Sequence, residues 1–225
     1  MQKFTSPAFF CFHSVNAWEE HNENTGTATL TCELVEFADA RILDRLQYRY
    51  IVSSDAVGSR TEGDWTSEAH LTRYCLDSVC LHDERQGSTK AATSEARKVM
   101  SISAGDLPRI NPKYALKPHR YVYSMLNRGK SSFIDGIGKT DTFSGTTTVW
   151  EQARHTPGEP IFVPRPGAEE EDDGIILSVV FDGDSATSYL LCLDARNFVE
   201  VARATAPGPI GIGFHGLHVP SPGPN

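Results

Sequence analysis

Residues 175–204 read IILSVVFDGDSATSYLLCLDARNFVEVARA. Ile175–Asp182, Ser188–Asp194 and Val199–Ala204 are runs of strand length, rich in Ile, Leu and Val. Asp182-Gly183-Asp184 separates the first two, and Asp194-Ala195-Arg196-Asn197 separates the second from the third. Apolar runs of this length joined by tight Asp/Gly/Asn turns build an antiparallel meander.

The same pattern continues toward the N-terminus. Ala8–Val15, Ala28–Phe37, His70–Leu76, Lys98–Ile102, Arg120–Leu126, Ile134–Phe143, Thr146–Glu151 and Ile161–Pro164 all read as strands, with Ser144-Gly145 a hairpin turn. One segment reads as helix: after Asp39, an N-cap candidate, Ile42, Leu43, Leu46 and Tyr50 recur at helical spacing. The polar stretches Ser53–Glu68 and Cys80–Ala96 read as connections, and the Gly/Pro-rich tail from Pro207 carries no period. The chain is expected to be all-β, with one short helix in an inter-strand connection. A sandwich, a barrel and a propeller all fit this pattern.

Composition narrows the function. The chain has 225 residues, a formal net charge of −8 and 39 % hydrophobic residues, as one globular domain does. An acidic chain lacks the basic footprint of a nucleic-acid binder. No apolar run approaches the roughly 18–20 residues of a membrane span. Ala8–Phe12 is too short for the core of a secretory signal, which predicts a cytoplasmic protein. The five cysteines form no even framework and are expected as reduced thiols.

Three motifs fail on context. Gly211-Ile-Gly213-Phe-His-Gly216 matches a dinucleotide fingerprint, but prolines at 207, 209, 220, 222 and 224 leave no room for its helix. Gly138-Lys139-Thr140 resembles the end of a phosphate loop, yet Phe133 stands where the motif needs glycine. Glu169–Asp173 lacks the alternating spacing of a calcium loop and reads as a solvated turn. Four residues stand out instead. His13 ends an aromatic strand and His215 lies between Phe214 and Gly216. Asp106 precedes Leu107-Pro108, and Glu159 is held between Pro157 and Pro160. Proline restricts the backbone, which suits a side chain whose direction matters.

Four segments carry a resemblance. Phe12-His13-Ser-Val-Asn16-Ala17-Trp18-Glu19-Glu20 is similar to an F-H-x-x-N-A-[YW]-E segment. Leu107-Pro108-Arg109-Ile110-Asn111, with Arg120-Tyr121-Val122-Tyr123, is similar to L-P-R-I-N and Y-R-Y. Glu159-Pro160-Ile161-Phe162-Val163-Pro164-Arg165-Pro166-Gly167, with Glu170–Gly174, is the third. Ser188–Leu191 through Gly213-Phe214-His215-Gly216-Leu217 is the fourth. In this order they resemble the C-terminal part of the carotenoid cleavage oxygenases. These are non-haem iron enzymes that split carotenoids, apocarotenoids or stilbenes, and the likeness runs from about residue 8 to 220.

The resemblance implies that residues 1–225 are the C-terminal blades of a seven-bladed β-propeller whose N-terminal blades are absent. It implies Fe(2+) on the axis, held by four histidines, of which His13 matches the third and His215 the fourth. Glu159 matches a carboxylate that backs a ligand. Asp106 stands where the family usually has Glu, one methylene longer. The first two ligands and the third backing glutamate have no counterpart here. The implied partners are O₂ and an apolar polyene or stilbene, with no nucleic acid. Peripheral membrane contact is open to the longer form. The segments 11–20 and 42–50 look closest to fungal members. Two other readings stand beside this one. The first is an inactive β-scaffold without tightly bound metal. The second is a hydrolase using His13 and His215, which would need a third ligand that no motif offers.

Overall fold

The computed structural model describes residues 2–52, 68–80 and 93–220. The polar connections expected at 53–68 and 80–96 lie largely outside these residues, as does His82. Three antiparallel sheets follow one another along the chain. The first has the order β2 (Phe10–Asn22), β3 (Thr27–Phe37), β4 (His70–Cys80), β6 (Arg97–Ser103). The second runs β7 (Asp106–Arg109), β8 (Tyr121–Leu126), β9 (Gly136–Asp141), β10 (Thr146–Trp150). In the third, β11 (His155–Pro157) and β12 (Ile161–Pro164) both pair with β13 (Gly174–Asp182), followed by β14 (Thr187–Asp194) and β15 (Glu200–Thr205). A parallel pair, β1 (Lys3–Thr5) with β5 (Thr93–Glu95), lies outside them. These up-and-down sheets are blades of a β-propeller.

The meander of residues 175–204 forms as expected, with Ile176 opposite Leu193 and Val180 opposite Tyr189. Alternation buries Ile176, Val180, Leu191 and Leu193 completely. They form one apolar cluster with Tyr123 and Ile137 of the second blade, and Tyr123 stacks on Phe162 at 5.5 Å. The second and third blades therefore share a core.

The helical expectation falls on two single turns, α1 (Ile42–Arg45) and α2 (Tyr48–Ile51). Gln47 between them is extended, with φ −66° and ψ 135°. Asp39 is not the N-cap. Arg41 holds that position, and the Asp39 carboxylate accepts the Arg41 N–H at 2.9 Å.

The first strand of every blade is irregular. Between Cys11 and Ser14, and again between Ser14 and Asn16, β2 carries one more residue than β3. His13 lies within the first of these bulges, and the second follows directly after Ser14. β7 shifts register between Asp106 and Arg109, and Leu107 there has φ +51°. In the third blade, Pro160 has no N–H to give the ladder, so β11 and β12 are separated by Gly158–Pro160. Each break carries a residue singled out in the sequence.

Candidate metal centre

His13, Asp106, Glu159 and His215 come from three blades and the tail, and the structure brings them together. His13 Nδ1 lies 2.7 Å from Asp106 Oδ1. His215 Nδ1 lies 3.0 Å from Glu159 Oε1. The two rings sit 5.3 Å apart, edge to face at 73°. An ionised carboxylate only accepts, so each Nδ1 carries the proton and donates it. That leaves each Nε2 with a bare lone pair, the form in which imidazole binds a metal.

Asp106 reaches His13 although it is one methylene shorter than Glu. Gly105 sits so tightly on β8 that a Cβ there would stand 1.9 Å from the Met125 carbonyl oxygen. The backbone at 106 is thereby drawn in against the second blade. Oδ1 of Asp106 also accepts the Leu107 N–H at 2.8 Å. The left-handed Leu107 is held by burial of its side chain.

Glu159 is held more heavily. Arg109 donates to both its oxygens, Nε to Oε1 at 2.8 Å and Nη2 to Oε2 at 3.0 Å. Gly216 N–H donates to Oε2 at 2.7 Å, and Arg109 Nη2 reaches the Gly216 carbonyl at 2.9 Å. A charged fork of this kind fixes a carboxylate in both position and plane. The irregular tail is thus pinned at Gly216, directly after His215, whose side chain remains 58 % exposed. Sequence reasoning gave Arg109 no role. Its place three residues after Asp106 is the one signal that could have found it.

Both histidines line an open cleft of about 570 Å³, together with Phe12, Phe37, Ile42, Leu46, Met125, Phe133 and Phe214. Its wall is mainly apolar, with Arg45, Glu68, Asp106 and Arg128 as charged members. α1 supplies part of this wall, which gives the short helix a use.

The rejected motifs have structural uses. Lys139 is buried, and its Nζ donates to Asp172 (2.7 Å) and to the carbonyls of Ala195 (2.7 Å) and Arg196 (2.9 Å). It ties the second blade to the third. The acidic run is not simply solvated. Glu171 accepts the Arg120 and Tyr121 N–H groups, Asp172 takes Lys139, and Asp173 pairs with Arg165. Cys11, Cys32, Cys75 and Cys192 are free thiols. Among the described residues no three His, Cys, Asp or Glu gather as a metal-holding group, and no helix is long and apolar enough to cross a membrane.

Propeller blades thus bring two carboxylate-backed histidines to one apolar cleft, a candidate metal centre. The family described as retinal pigment epithelial membrane protein (RPE65) matches residues 1–220, and the chain belongs to this carotenoid oxygenase family. A carotenoid dioxygenase of Neurospora crassa is 40 % identical over 97 % of this chain and 37 % of its own length. A torulene dioxygenase of Fusarium fujikuroi is 38 % identical over 97 % of this chain and 39 % of its own. A variant ACO/RPE65 chimera superimposes with a TM-score of 0.68 at 25 % identity, covering 95 % of this chain and 40 % of that one. Cobalt-substituted Synechocystis ACO gives 0.65 at 25 % identity, covering 94 % and 40 %. The chain therefore spans about two-fifths of the length of the relatives it matches.

Proposed function

We propose that this chain supplies the C-terminal blades, and two of four histidine ligands, of an Fe(II)-dependent dioxygenase. Residues 1–225 form part of one seven-bladed domain. The enzyme cleaves a conjugated C=C bond of a carotenoid, apocarotenoid or stilbene to two carbonyl products. The observation that carries this reading is the convergence of His13 and His215, each with Nδ1 on a carboxylate, beside an apolar cleft.

The donor set fits the metal. Neutral imidazoles suit Fe(II), and carboxylate backing raises their basicity. Fe(II), when bound, supplies the activation of O₂ for its addition across the alkene. The residues of this chain do the rest. His13 and His215 present Nε2 lone pairs, and Asp106 and Glu159 keep the proton on Nδ1. Phe12, Phe37, Met125 and Phe214 offer an apolar wall that holds a polyene and excludes water. The names of the Neurospora and Fusarium relatives favour a carotenoid such as torulene, while stilbene rests on the resemblance alone. We assign the protein to the cytoplasm with peripheral membrane contact. Exposed Ile210, Phe214, Leu217 and Val219, close to His215, support that contact.

One observation favours a second reading for the chain alone. Two histidines are half of the implied ligand set, and the described residues offer no metal-holding group of three. The isolated chain is then a scaffold that holds Fe(II) weakly and does not cleave. One experiment tests both readings. The chain replaces the corresponding part of the Neurospora relative, and torulene or β,β-carotene is supplied with Fe(II) and O₂. Carbonyl products are expected from the chimera and not from the isolated chain, and His13→Ala or His215→Ala abolishes them. Cleavage that survives either substitution would overturn the proposal.

A further inference from the structure

The β2 bulges leave His13 on irregular backbone, so something else must hold that strand in place. Asn16 follows directly after the second bulge. Its side chain reaches across to the turn between β7 and β8. Oδ1 accepts the Leu116 N–H at 3.0 Å. Nδ2 faces the carbonyls of Lys117 at 2.9 Å and Tyr114 at 3.1 Å, and His119 Nδ1 at 3.1 Å. Leu116 has φ +62°, so its backbone is itself in a costly conformation that the contact holds. His119 is completely buried, and its Nε2 lies 3.0 Å from Glu33 Oε2 on β3. Arg73 of β4 reaches the same carboxylate at 2.7 Å and covers the Trp18 ring at 5.2 Å. Trp18 and His119 meet edge to face, their centroids 5.8 Å apart. This polar chain therefore joins β4, β3 and β2 of the first blade to the β7–β8 turn of the second.

The consequence falls on the metal centre. β2 carries His13 and β7 carries Asp106; among the described residues, side chains of β2 reach the second blade through the His13–Asp106 hydrogen bond and, at the β7–β8 connection, through the Asn16 clamp. We infer that Asn16 is a positioning residue for His13. By pinning the β7–β8 turn to β2, it sets the first blade against the second. It thereby fixes the His13 ring on Asp106 with Nε2 turned to the metal position. That last clause rests on the iron reading above.

The test uses the full chain without metal first. Two-bond ¹H–¹⁵N NMR of the histidine rings reports the tautomer of His13 and His215 separately. In the native chain both are expected as the Nδ1–H form. In Asn16→Ala, His13 should lose its single tautomer and populate both. His215, held by Glu159 and Arg109 on another blade, should keep its own. Anaerobic titration with Fe(II) alone should then show about tenfold weaker binding than the native chain, the size of effect that outer partners of a ligand exert. If both histidines stay unchanged in a folded variant, or if both change together, the inference falls. If Asn16→Ala does not fold, Asn16→Asp is read by the same criteria. It keeps the shape and the acceptor for Leu116 but turns an oxygen onto the carbonyls of Lys117 and Tyr114. If His13 alone is disturbed while the native chain binds no Fe(II), the positioning role stands and the iron reading fails.

Discussion

Asp106 shows how much one side chain depends on backbone placement. It makes its 2.7 Å bond to His13 with a shorter arm because β7 is drawn onto β8 at Gly105. Asp106→Ala should leave the chain folded and weaken Fe(II) binding 10- to 100-fold, measured by anaerobic titration. An affinity equal to that of the native chain would remove Asp106 from the centre. Glu36 offers a pH test away from the site. Burial alone would push its carboxyl up. Hydrogen bonds from Lys98 (2.7 Å) and Tyr74 (2.5 Å), with the Lys98 charge, outweigh that and hold it below its ordinary 4.5. A depressed folded-state value stabilises the fold above the ordinary carboxylate range, and the gain is lost as pH falls through the folded value. Glu36→Gln should therefore cost about 1–2 kcal/mol at pH 7. The gap to the native chain should close on acidification below about pH 4.5. Urea unfolding at pH 7 and pH 3 compares the two, and a gap undiminished at pH 3 would contradict the account.

At the scale of elements, the breaks in the first strands matter more than the regular ladders. A straight strand presents side chains alternately to its two faces. The bulges at His13, the shift at Asp106 and the gap at Glu159 re-aim three residues toward one place. Gly105→Ala tests this. Its Cβ would meet the Met125 carbonyl at 1.9 Å, so β7 must move away from β8. A loss of more than about 2 kcal/mol is expected in urea unfolding, with the His13 tautomer disturbed as well. Lys139 tests the seam between blades. Lys139→Met leaves Asp172 and two carbonyls without their cation. About 3 kcal/mol of destabilisation is expected, and a variant as stable as the native chain would show that the tie is dispensable.

Among the described residues β6, β10 and β15 each end a sheet. Unpaired N–H and C=O groups along an edge invite pairing with another chain. The isolated chain is expected to associate in size-exclusion chromatography with light scattering. A sharp monomer peak with cooperative unfolding would contradict this. Desalting after Fe(II) loading should leave well under one iron per chain, since half of the implied ligands are present. Stoichiometric iron retained through the column would show a complete centre.

Much of the fold is legible in the sequence. The turns at Asp182–Asp184 and Asp194–Asn197 and the apolar runs between them specified the antiparallel meander that the structure places in the third blade. Alternation is local and depends on nothing distant. The aromatic setting of His13 and the prolines around Glu159 marked the site residues. Three strands went unread, Lys3–Thr5, Thr93–Glu95 and His155–Pro157, each of three residues and too short to show a period. Asp106–Arg109 was marked as a site and not as a strand, because its pairing is broken where Leu107 turns left-handed. The sequence by itself thus determined the class of element and the order of the strands, and it marked His13, Asp106, Glu159 and His215 as candidates. Only the tertiary structure decided that His13 meets Asp106, 93 residues away, and that Arg109 grips Glu159, 50 residues on. It also decided that Asn16 holds a turn 100 residues distant. Periodicity reports which face of a strand is buried, but it carries no information about which strand lies opposite. That choice is made by the packing of whole blades.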